Sequence, residues 1–409
     1  MNIGIFTDTY VPYINGVTTS VLMLKNALEK LGYNVYVVTV NNENLHYKYE
    51  EEEKVLRLPG IPIGIYDYRL TSIYPIEVIK LIKSWNLDVI HCQTEFGVGT
   101  FARIFAKQFN IPLVHTYHTM YEDYVHYITK GYFKNSSKKI VEYLTKFYCD
   151  KTCTELVVPT RKTYELFKDK YKYDREVYIV PTGIEIDRFY EENHKGFNKD
   201  KMRKELGFNK DDFIILFVGR IAQEKNINLL LDSMKALQKE SKKIKLLIVG
   251  DGPDLPGYKE YAKKNKIDDS VIFAGKIPWV NVPEYYLLSD VFATASTSET
   301  QGLTVIEGLA ASLPVVCIND ESFNTTIMND YNGYIFNTNK EYEKYVIKIF
   351  NDKKLQKKLR EQARRSSEQY SSKYFAERIV DVYKKAIEHK KKKKGFFLFN
   401  LFKRKKDKE

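Results

Sequence analysis

Residues 290–311, DVFATASTSETQGLTVIEGLAA, pass from a short apolar run through a polar loop into a segment of small and apolar residues. The first run, 290–293, has the length of a buried strand, and the segment after the loop favours a helix that begins at about Leu303. A strand, a loop and a helix in this order form part of a βαβ unit. The stretch therefore predicts an α/β fold with a parallel sheet.

Short apolar runs alternate with amphipathic helical stretches on both sides of this segment, as in Val17–Leu31, where apolar residues recur at helical spacing. A break at Pro181–Gly183 and a polar stretch after it divide the predicted strands into two series. They are 3–6, 35–40, 88–92, 112–116, 155–158 and 177–180, then 213–218, 245–249, 271–274, 290–293, 314–318 and 333–336. Two Rossmann-like, doubly wound domains are expected, with ligands at the carboxyl ends of the strands.

The length of the chain fits this division. With 409 residues, of which 44% are hydrophobic, it can form two domains that each bury a core. We place the first domain at residues 1–182, the second at 183–389, and a basic, aromatic tail at 390–409. The last helices before the tail either stay with the second domain or pack back on the first.

Most of the net charge of +12 lies in this tail. Residues 390–409 hold ten Lys or Arg against two acids, which gives +8 and leaves about +4 for the rest of the chain. Such a terminus predicts an anionic partner, either a membrane or nucleic acid. The Phe and Leu residues between the basic runs favour an anionic membrane surface over nucleic acid. The segment Tyr66–Ser84 is either a second membrane contact or a plain surface helix.

Several classes of protein do not fit the sequence. The four cysteines form no CxxC pair and have no histidine at zinc-ligand spacing, which favours reduced thiols in a cytosolic protein. We find neither a signal peptide nor an apolar run of transmembrane length, so we expect a cytoplasmic protein at the inner face of the membrane. The segment nearest to a GxGxxG motif, 250–255, has Leu255 at the third glycine, which disfavours a dehydrogenase.

Two carboxylates flank the predicted start of the helix. Glu299 lies in the loop, where it can accept hydrogen bonds from sugar hydroxyls, and Glu307 lies one to two turns into the helix, where it can bind a ribose diol. Backbone N–H groups at Gly302 and Leu303 can face a diphosphate. Two solvated surface acids are the alternative, which the small, apolar surroundings make less favourable.

Two cations follow the first strand of the second series. Arg220 and Lys225 come after residues 213–218, in the crevice predicted for the acids. Both can hold a diphosphate leaving group, although cations on loops are usually solvated.

The first series offers a glycine and a histidine. Gly16 precedes a helix and permits a close approach of an anion to the backbone. The strand 112–116 ends with His115 and Thr116, and His118 follows it, at a strand end where histidines can bind sugar hydroxyls or transfer protons. We expect His115 to be a buried structural residue and take His118 as the catalytic candidate.

Together these residues resemble the GT4 family of retaining glycosyltransferases, which have the GT-B fold of two Rossmann-like domains facing a central cleft. The matching residues, in chain order, are Gly16, His118, Arg220, Lys225, Glu299 and Glu307. The resemblance implies that the glycine lies against donor and acceptor, and that the histidine and the first glutamate contact the transferred sugar. It implies that both cations hold the diphosphate and the second glutamate the ribose. It implies no metal and no other cofactor.

Three shorter strings resemble the bacterial diacylglycerol glucosyltransferases within this family. They are residues 93–96 (QTEF), 118–124 (HTMYEDY) and 299–302 (ETQG), the last with Gln301 where many members carry Phe. This resemblance implies transfer of a hexose, glucose from UDP-glucose, to the 3-hydroxyl of diacylglycerol, without a covalent nucleophile. The alternatives are a GT4 enzyme with another lipid or a polysaccharide acceptor, and a non-enzymatic protein that binds through its basic tail.

Overall fold

The computed structural model describes residues 1–13, 15–41, 45–62, 69–118, 142–297, 299 and 301–406, and for residues 62, 70 and 393–406 it describes the backbone. The chain divides into two compact units, Met1–Gly183 with Ser372–Glu409, and Ile184–Ser371. Within the described part of the chain, no helix combines the length and the apolar character needed to cross a membrane.

The first unit is built around a sheet of eight described strands in the order β10-β9-β8-β7-β1-β2-β4-β3. Its elements are β1 (Asn2–Phe6), α1 (Gly16–Lys30), β2 (Asn34–Val40), β3 (Lys48–Glu50), β4 (Val55–Leu58), β5 (Ile61–Pro62), β6 (Arg69–Leu70), α2 (Ile79–Ser84), β7 (Val89–Cys92), α3 (Gly97–Gln108), β8 (Leu113–Thr116), β9 (Glu155–Val158), α4 (Arg161–Glu165) and β10 (Val177–Ile179). All neighbours pair in parallel except β3 with β4. The chain passes from β1 to β2 on one side and later to β7 on the other, so the β1–β7 boundary is the switch point where ligands bind in such sheets.

The second unit contains a fully parallel sheet in the order β13-β12-β11-β14-β15-β16. Its elements are α5 (Lys199–Glu205), β11 (Phe213–Val218), α6 (Ile227–Glu240), β12 (Ile244–Val249), α7 (Leu255–Lys264), β13 (Val271–Gly275), α8 (Val282–Leu287), β14 (Val291–Thr294), α9 (Leu303–Ala310), β15 (Val315–Ile318), β16 (Gly333–Phe336), α10 (Asn339–Asn351) and α11 (Lys353–Ser367). Its switch point lies between β11 and β14.

The last helix, α12 (Ser372–Lys406), belongs to the first unit. Its Ile379 and Tyr383 pack with Leu24 of α1 and Ile5 of β1 on one face of the sheet. The other face buries Phe101 among the side chains of α3 and its neighbours. Because both faces of a parallel sheet are covered, its strands consist of nearly continuous apolar runs. The predicted α/β fold with parallel sheets is confirmed.

The segment 250–255 uses its glycines for packing between two loops. Gly250 has φ +142°, and a Cβ there would lie 1.9 Å from the carbonyl oxygen of Gly219. A Cβ at Gly252 would lie 2.2 Å from the carbonyl oxygen of Ile221. The loops that follow β11 and β12 therefore touch through their backbones, which fixes the segment that carries Arg220.

Candidate active site

The loops that follow β11 and β14 bring a cation and a carboxylate into contact. The Lys225 ammonium forms an ion pair with Oε1 of Glu299, and both side chains are largely buried. Ser296 donates a hydrogen bond to the same carboxylate oxygen at 2.9 Å, and Ser322 donates one to the Glu299 carbonyl at 2.6 Å. Two of the predicted site residues thus meet at the switch point of the second sheet.

Arg220 lies on the same segment between β11 and α6. Its guanidinium forms an ion pair with Glu224, and about a third of the side chain is exposed. The preceding Gly219 donates its N–H to the carbonyl of Val249 at 3.0 Å, which ties the start of this segment to the end of β12.

The predicted helix after the loop begins at Leu303, as α9. Gly302 precedes it with φ +73°, and a Cβ there would lie 2.5 Å from the ring of Phe323. Only glycine fits this position without strain or a shift of the ring. The backbone N–H groups at this helix start carry a partial positive charge that favours an anion.

Glu307 stands in the second turn of α9 and is partly buried. Burial raises the pKa of its carboxyl to about 7, although the Tyr286 hydroxyl donates to Oε2 at 2.6 Å and the charge of Arg188 acts in the opposite direction. Arg188 itself stacks on the ring of Trp279, 3.3 Å from the centroid. Burial therefore disfavours the ionised form of this carboxyl compared with an exposed glutamate.

In the first unit, the two histidines around the end of β8 have different surroundings. His115 is fully buried, with Nε2 3.0 Å from Oε1 of Glu95 and Nδ1 3.0 Å from the carbonyl of Cys92. His118 is partly buried, with Nε2 2.6 Å from Oε1 of Gln93. Burial lowers the pKa of His118 to about 4, so its imidazole is neutral at physiological pH and is suited to hydrogen bonding.

Asp8 lies at the same end of the first sheet, after β1. The Thr94 hydroxyl donates to its Oδ2 at 2.5 Å, and the N–H of Val98 at the start of α3 donates to its Oδ1 at 2.9 Å. Burial raises the pKa of this carboxyl. Asp8 was not among the predicted site residues. Its place two residues after the first strand of a doubly wound sheet, where ligands bind, could have indicated it.

Gly16 is the first residue of α1. The side chain of Asn15 caps this helix by accepting the N–H of Thr18 at 2.9 Å. No described atom lies within 4 Å of the place that a Cβ at Gly16 would take, so the helix start is open in that direction.

The sequence was compared with known proteins. Residues 14–188 match the family described as Glycosyltransferase Family 4, and residues 198–366 match the family described as Glycosyl transferases group 1. The chain is 34% identical over 400 residues to an alpha-monoglucosyldiacylglycerol synthase of Acholeplasma laidlawii, covering 96% of this chain and 99% of that protein. The chain belongs to glycosyltransferase family 4. A second such synthase, from Streptococcus pneumoniae, is 38% identical to this glycosyltransferase over 82% of the chain and 75% of its own length.

Solved structures resemble this glycosyltransferase in fold. A sucrose-phosphate synthase from Thermosynechococcus elongatus matches with a TM-score of 0.73 and 18% identity, over 94% of this chain and 98% of that one. HepE of Anabaena, in complex with UDP and glucose, matches with a TM-score of 0.71 and 14% identity, over 94% of this chain and 99% of that one. The predicted GT-B fold is confirmed.

The roles given to the individual site residues of this glycosyltransferase stay predictions. Two side chains that bind the predicted acids were not predicted. Tyr286 lies 21 residues before its partner Glu307, and Ser296 lies in the same polar loop as its partner Glu299. Residues 119–124 of the string HTMYEDY, and Ser298 and Thr300, lie outside the described residues. In the described ranges, we find no group of three His, Cys, Asp or Glu side chains placed to hold a metal ion.

Proposed function

We propose that this glycosyltransferase transfers glucose from UDP-glucose to diacylglycerol with retention of configuration and makes an α-glucosyl membrane lipid. The observation that carries the proposal is the similarity to an alpha-monoglucosyldiacylglycerol synthase along 96% of the chain. The ETQG string at residues 299–302 supports it, because this string resembles the bacterial diacylglycerol glucosyltransferases.

In this proposal the second unit binds the donor. Lys225 and Arg220 bind the diphosphate as cations, and the N–H groups at Gly302 and Leu303 add hydrogen bonds at the helix start. Glu307 accepts hydrogen bonds from the ribose hydroxyls.

The transferred glucose contacts Glu299 and His118, and Gly16 leaves room beside the start of α1. The bond between C1 of glucose and the UDP oxygen breaks, and the acceptor hydroxyl oxygen forms its bond to C1 on the same face. The hydroxyl proton passes to the departing phosphate oxygen, so the products are UDP and an α-glucoside. Cations near the departing phosphate stabilise the negative charge that develops on it.

The first prediction concerns the product. Purified protein incubated with UDP-glucose and dioleoylglycerol is expected to yield a glucosyl lipid visible by thin-layer chromatography, with an α-anomeric proton signal in its NMR spectrum. UDP-galactose and GDP-mannose are tested as alternative donors, and an undecaprenyl-linked sugar is tested as an alternative acceptor. Glucose transfer only to the last acceptor, or a β-linked product, would contradict the proposal.

We also propose that the protein docks on anionic membranes, where its lipid acceptor lies. Residues 390–409 carry +8 and enclose a run of Phe and Leu residues. Each basic residue near an anionic surface adds about 1 kcal/mol of attraction, and inserted apolar side chains add more. In the segment predicted as a second membrane contact, Ile73 and Ile76 are 57% and 74% exposed, whereas Ile82 is buried in the core.

The second prediction tests the tail. Deleting residues 390–409 is expected to reduce sedimentation with phosphatidylglycerol vesicles at least tenfold, since the deletion removes about +8 of charge. UDP binding, measured by calorimetry, should be unchanged. High salt should have the same effect as the deletion, because surface charges are screened within about 8 Å at physiological ionic strength. Full sedimentation of the truncated protein would contradict a role for the tail, and Ile76→Asp then tests the other segment.

A further inference from the structure

Residues 93–95, the QTE of the QTEF string, link three strand ends at the switch point of the first sheet. Each side chain of this segment, which directly follows β7, bonds to a different neighbour. Gln93 contacts His118, which follows β8. Thr94 donates to Asp8, which follows β1. Glu95 contacts His115 within β8. The segment therefore fixes the position of the candidate catalytic histidine relative to the sheet.

Gln93 differs from the other two in its own hydrogen bonding. Its side chain is almost fully buried, at 2% exposure, and its amide nitrogen has no hydrogen-bond partner among the described residues. A buried donor without a partner lowers the stability of the fold. An apolar side chain of the same shape would avoid this cost. The amide nitrogen therefore adds nothing to the stability of the fold, and the contribution of Gln93 lies in the hydrogen bond that its oxygen accepts from the imidazole.

We propose that Gln93 is a positioning residue for His118: its amide oxygen holds the imidazole in one tautomer and one orientation toward the transferred sugar. The amide oxygen accepts the Nε2–H of the ring, so that Nδ1 is the ring atom that accepts a hydrogen bond. A carboxylate at this place would favour the imidazolium form by its charge. The amide carries no charge and does not. This inference rests on the proposed contact of His118 with the sugar.

Among the described residues, the titratable groups that act on this ring lie in β7, in β8 and in the segment that follows β7. Glu95 favours the charged imidazole, and His115 opposes it. His91 in β7 is bonded to Tyr383 and to the Thr116 hydroxyl, and its neutral ring adds no fixed charge. Burial keeps the ring neutral, and the hydrogen bond from Nε2 to Gln93 determines which ring nitrogen carries the proton.

The third prediction compares two Gln→Met substitutions. Gln93→Met is expected to lower kcat for glucosyl transfer at least tenfold, which corresponds to about 1.4 kcal/mol, with the KM for UDP-glucose changed less than about threefold. Its thermal midpoint should change little, because the substitution removes one buried unpaired donor, the Gln93 amide N–H, and leaves another, the Nε2–H of His118. Gln108→Met is the matched control, since the amide oxygen of this exposed residue accepts a hydrogen bond from Tyr74 on the surface. A loss of kcat that only accompanies a lower thermal midpoint would overturn the proposal.

Gln93→Glu keeps the shape and adds a charge. The carboxylate should raise the pKa of His118 from about 4 into the range around neutrality. NMR titration of the imidazole signals, assigned with a His118→Asn variant, should show this shift, and kcat should become dependent on pH between 6 and 8. An unchanged His118 signal in both Gln93 variants would overturn the proposal. The titration needs no substrate, so it decides the role of Gln93 even if the wild-type protein makes no glucosyl lipid.

Discussion

Replacing Lys225 with alanine is expected to lower kcat for glucosyl transfer about 100- to 1,000-fold, the loss that follows removal of one charge-stabilising group from a transition state. Negative charge develops on the diphosphate as it leaves, and a fixed cation there stabilises the transition state more than the ground state. The ion pair with Glu299 restricts the position of the Lys225 ammonium, as the proposed role requires. Initial rates at saturating UDP-glucose measure the loss. Lys235→Ala on the exposed face of α6 is the matched control.

A double-mutant cycle tests whether Lys225 and Glu299 act as a unit. In Lys225→Ala, the Glu299 carboxylate keeps the Ser296 hydrogen bond but loses its cation. That carboxylate is then held by fewer contacts, so the single variant is also expected to lose part of the proposed contact with the sugar. Residues that act as a unit give strongly non-additive losses. We therefore expect the double variant with Glu299→Ala to be little worse than the poorer single variant. Fully additive losses would contradict the coupling.

The strands of the two sheets could be predicted from sequence because their physical signal is local. Each of the twelve predicted strands occurs within one residue of its expected bounds, from β1 to β16. A strand buried on both faces is a continuous apolar run, and polar residues mark its ends. The pair β3 and β4 was missed. β3 consists of the polar residues 48–50, and β4 is interrupted by Arg57, which binds Glu50 across the pair. The apolar Val55, Leu56 and Leu58 were the signal that could have located β4.

The positions of candidate site residues were also predictable, because parallel strands end at a common edge. Lys225 and Glu299 were both placed there from sequence, and the structure brings them together. Their partners were not predictable in the same way. Tyr286 and Glu307 are bonded across 21 residues, and Asp8 and Thr94 across 86. Such pairs depend on the distance and angle between elements after folding, which no local pattern specifies.

The last prediction concerns how binding of the donor depends on pH. The carboxyl of Glu307 has a pKa of about 7 in the unliganded protein because it is buried. An ionised carboxylate accepts hydrogen bonds from both ribose hydroxyls, whereas a protonated one must use an oxygen as a donor. The bound donor therefore favours the ionised form, and binding should release a proton below pH 7.

The affinity for UDP-glucose should therefore rise with pH. At pH 6 only about a tenth of the carboxyl is ionised and at pH 8 about nine tenths, so the affinity for UDP-glucose should rise about tenfold between these values. UDP-glucose is the better probe than UDP, because the terminal phosphate of UDP itself titrates near pH 6. Calorimetry at pH 6, 7 and 8 measures the affinity.

Three variants identify the carboxyl responsible. Glu307→Gln should weaken binding at pH 8 by at least tenfold, since each hydrogen bond to a charged group contributes about 1.5–3 kcal/mol, and should abolish the dependence on pH. Tyr286→Phe removes a hydrogen bond that lowers the pKa of Glu307, so the midpoint of the profile should move upward. Glu284→Gln on α8 is the matched control and should leave the profile in place. A profile that Glu307→Gln leaves intact would mean that another group titrates, and the ribose contact would then have to be assigned elsewhere.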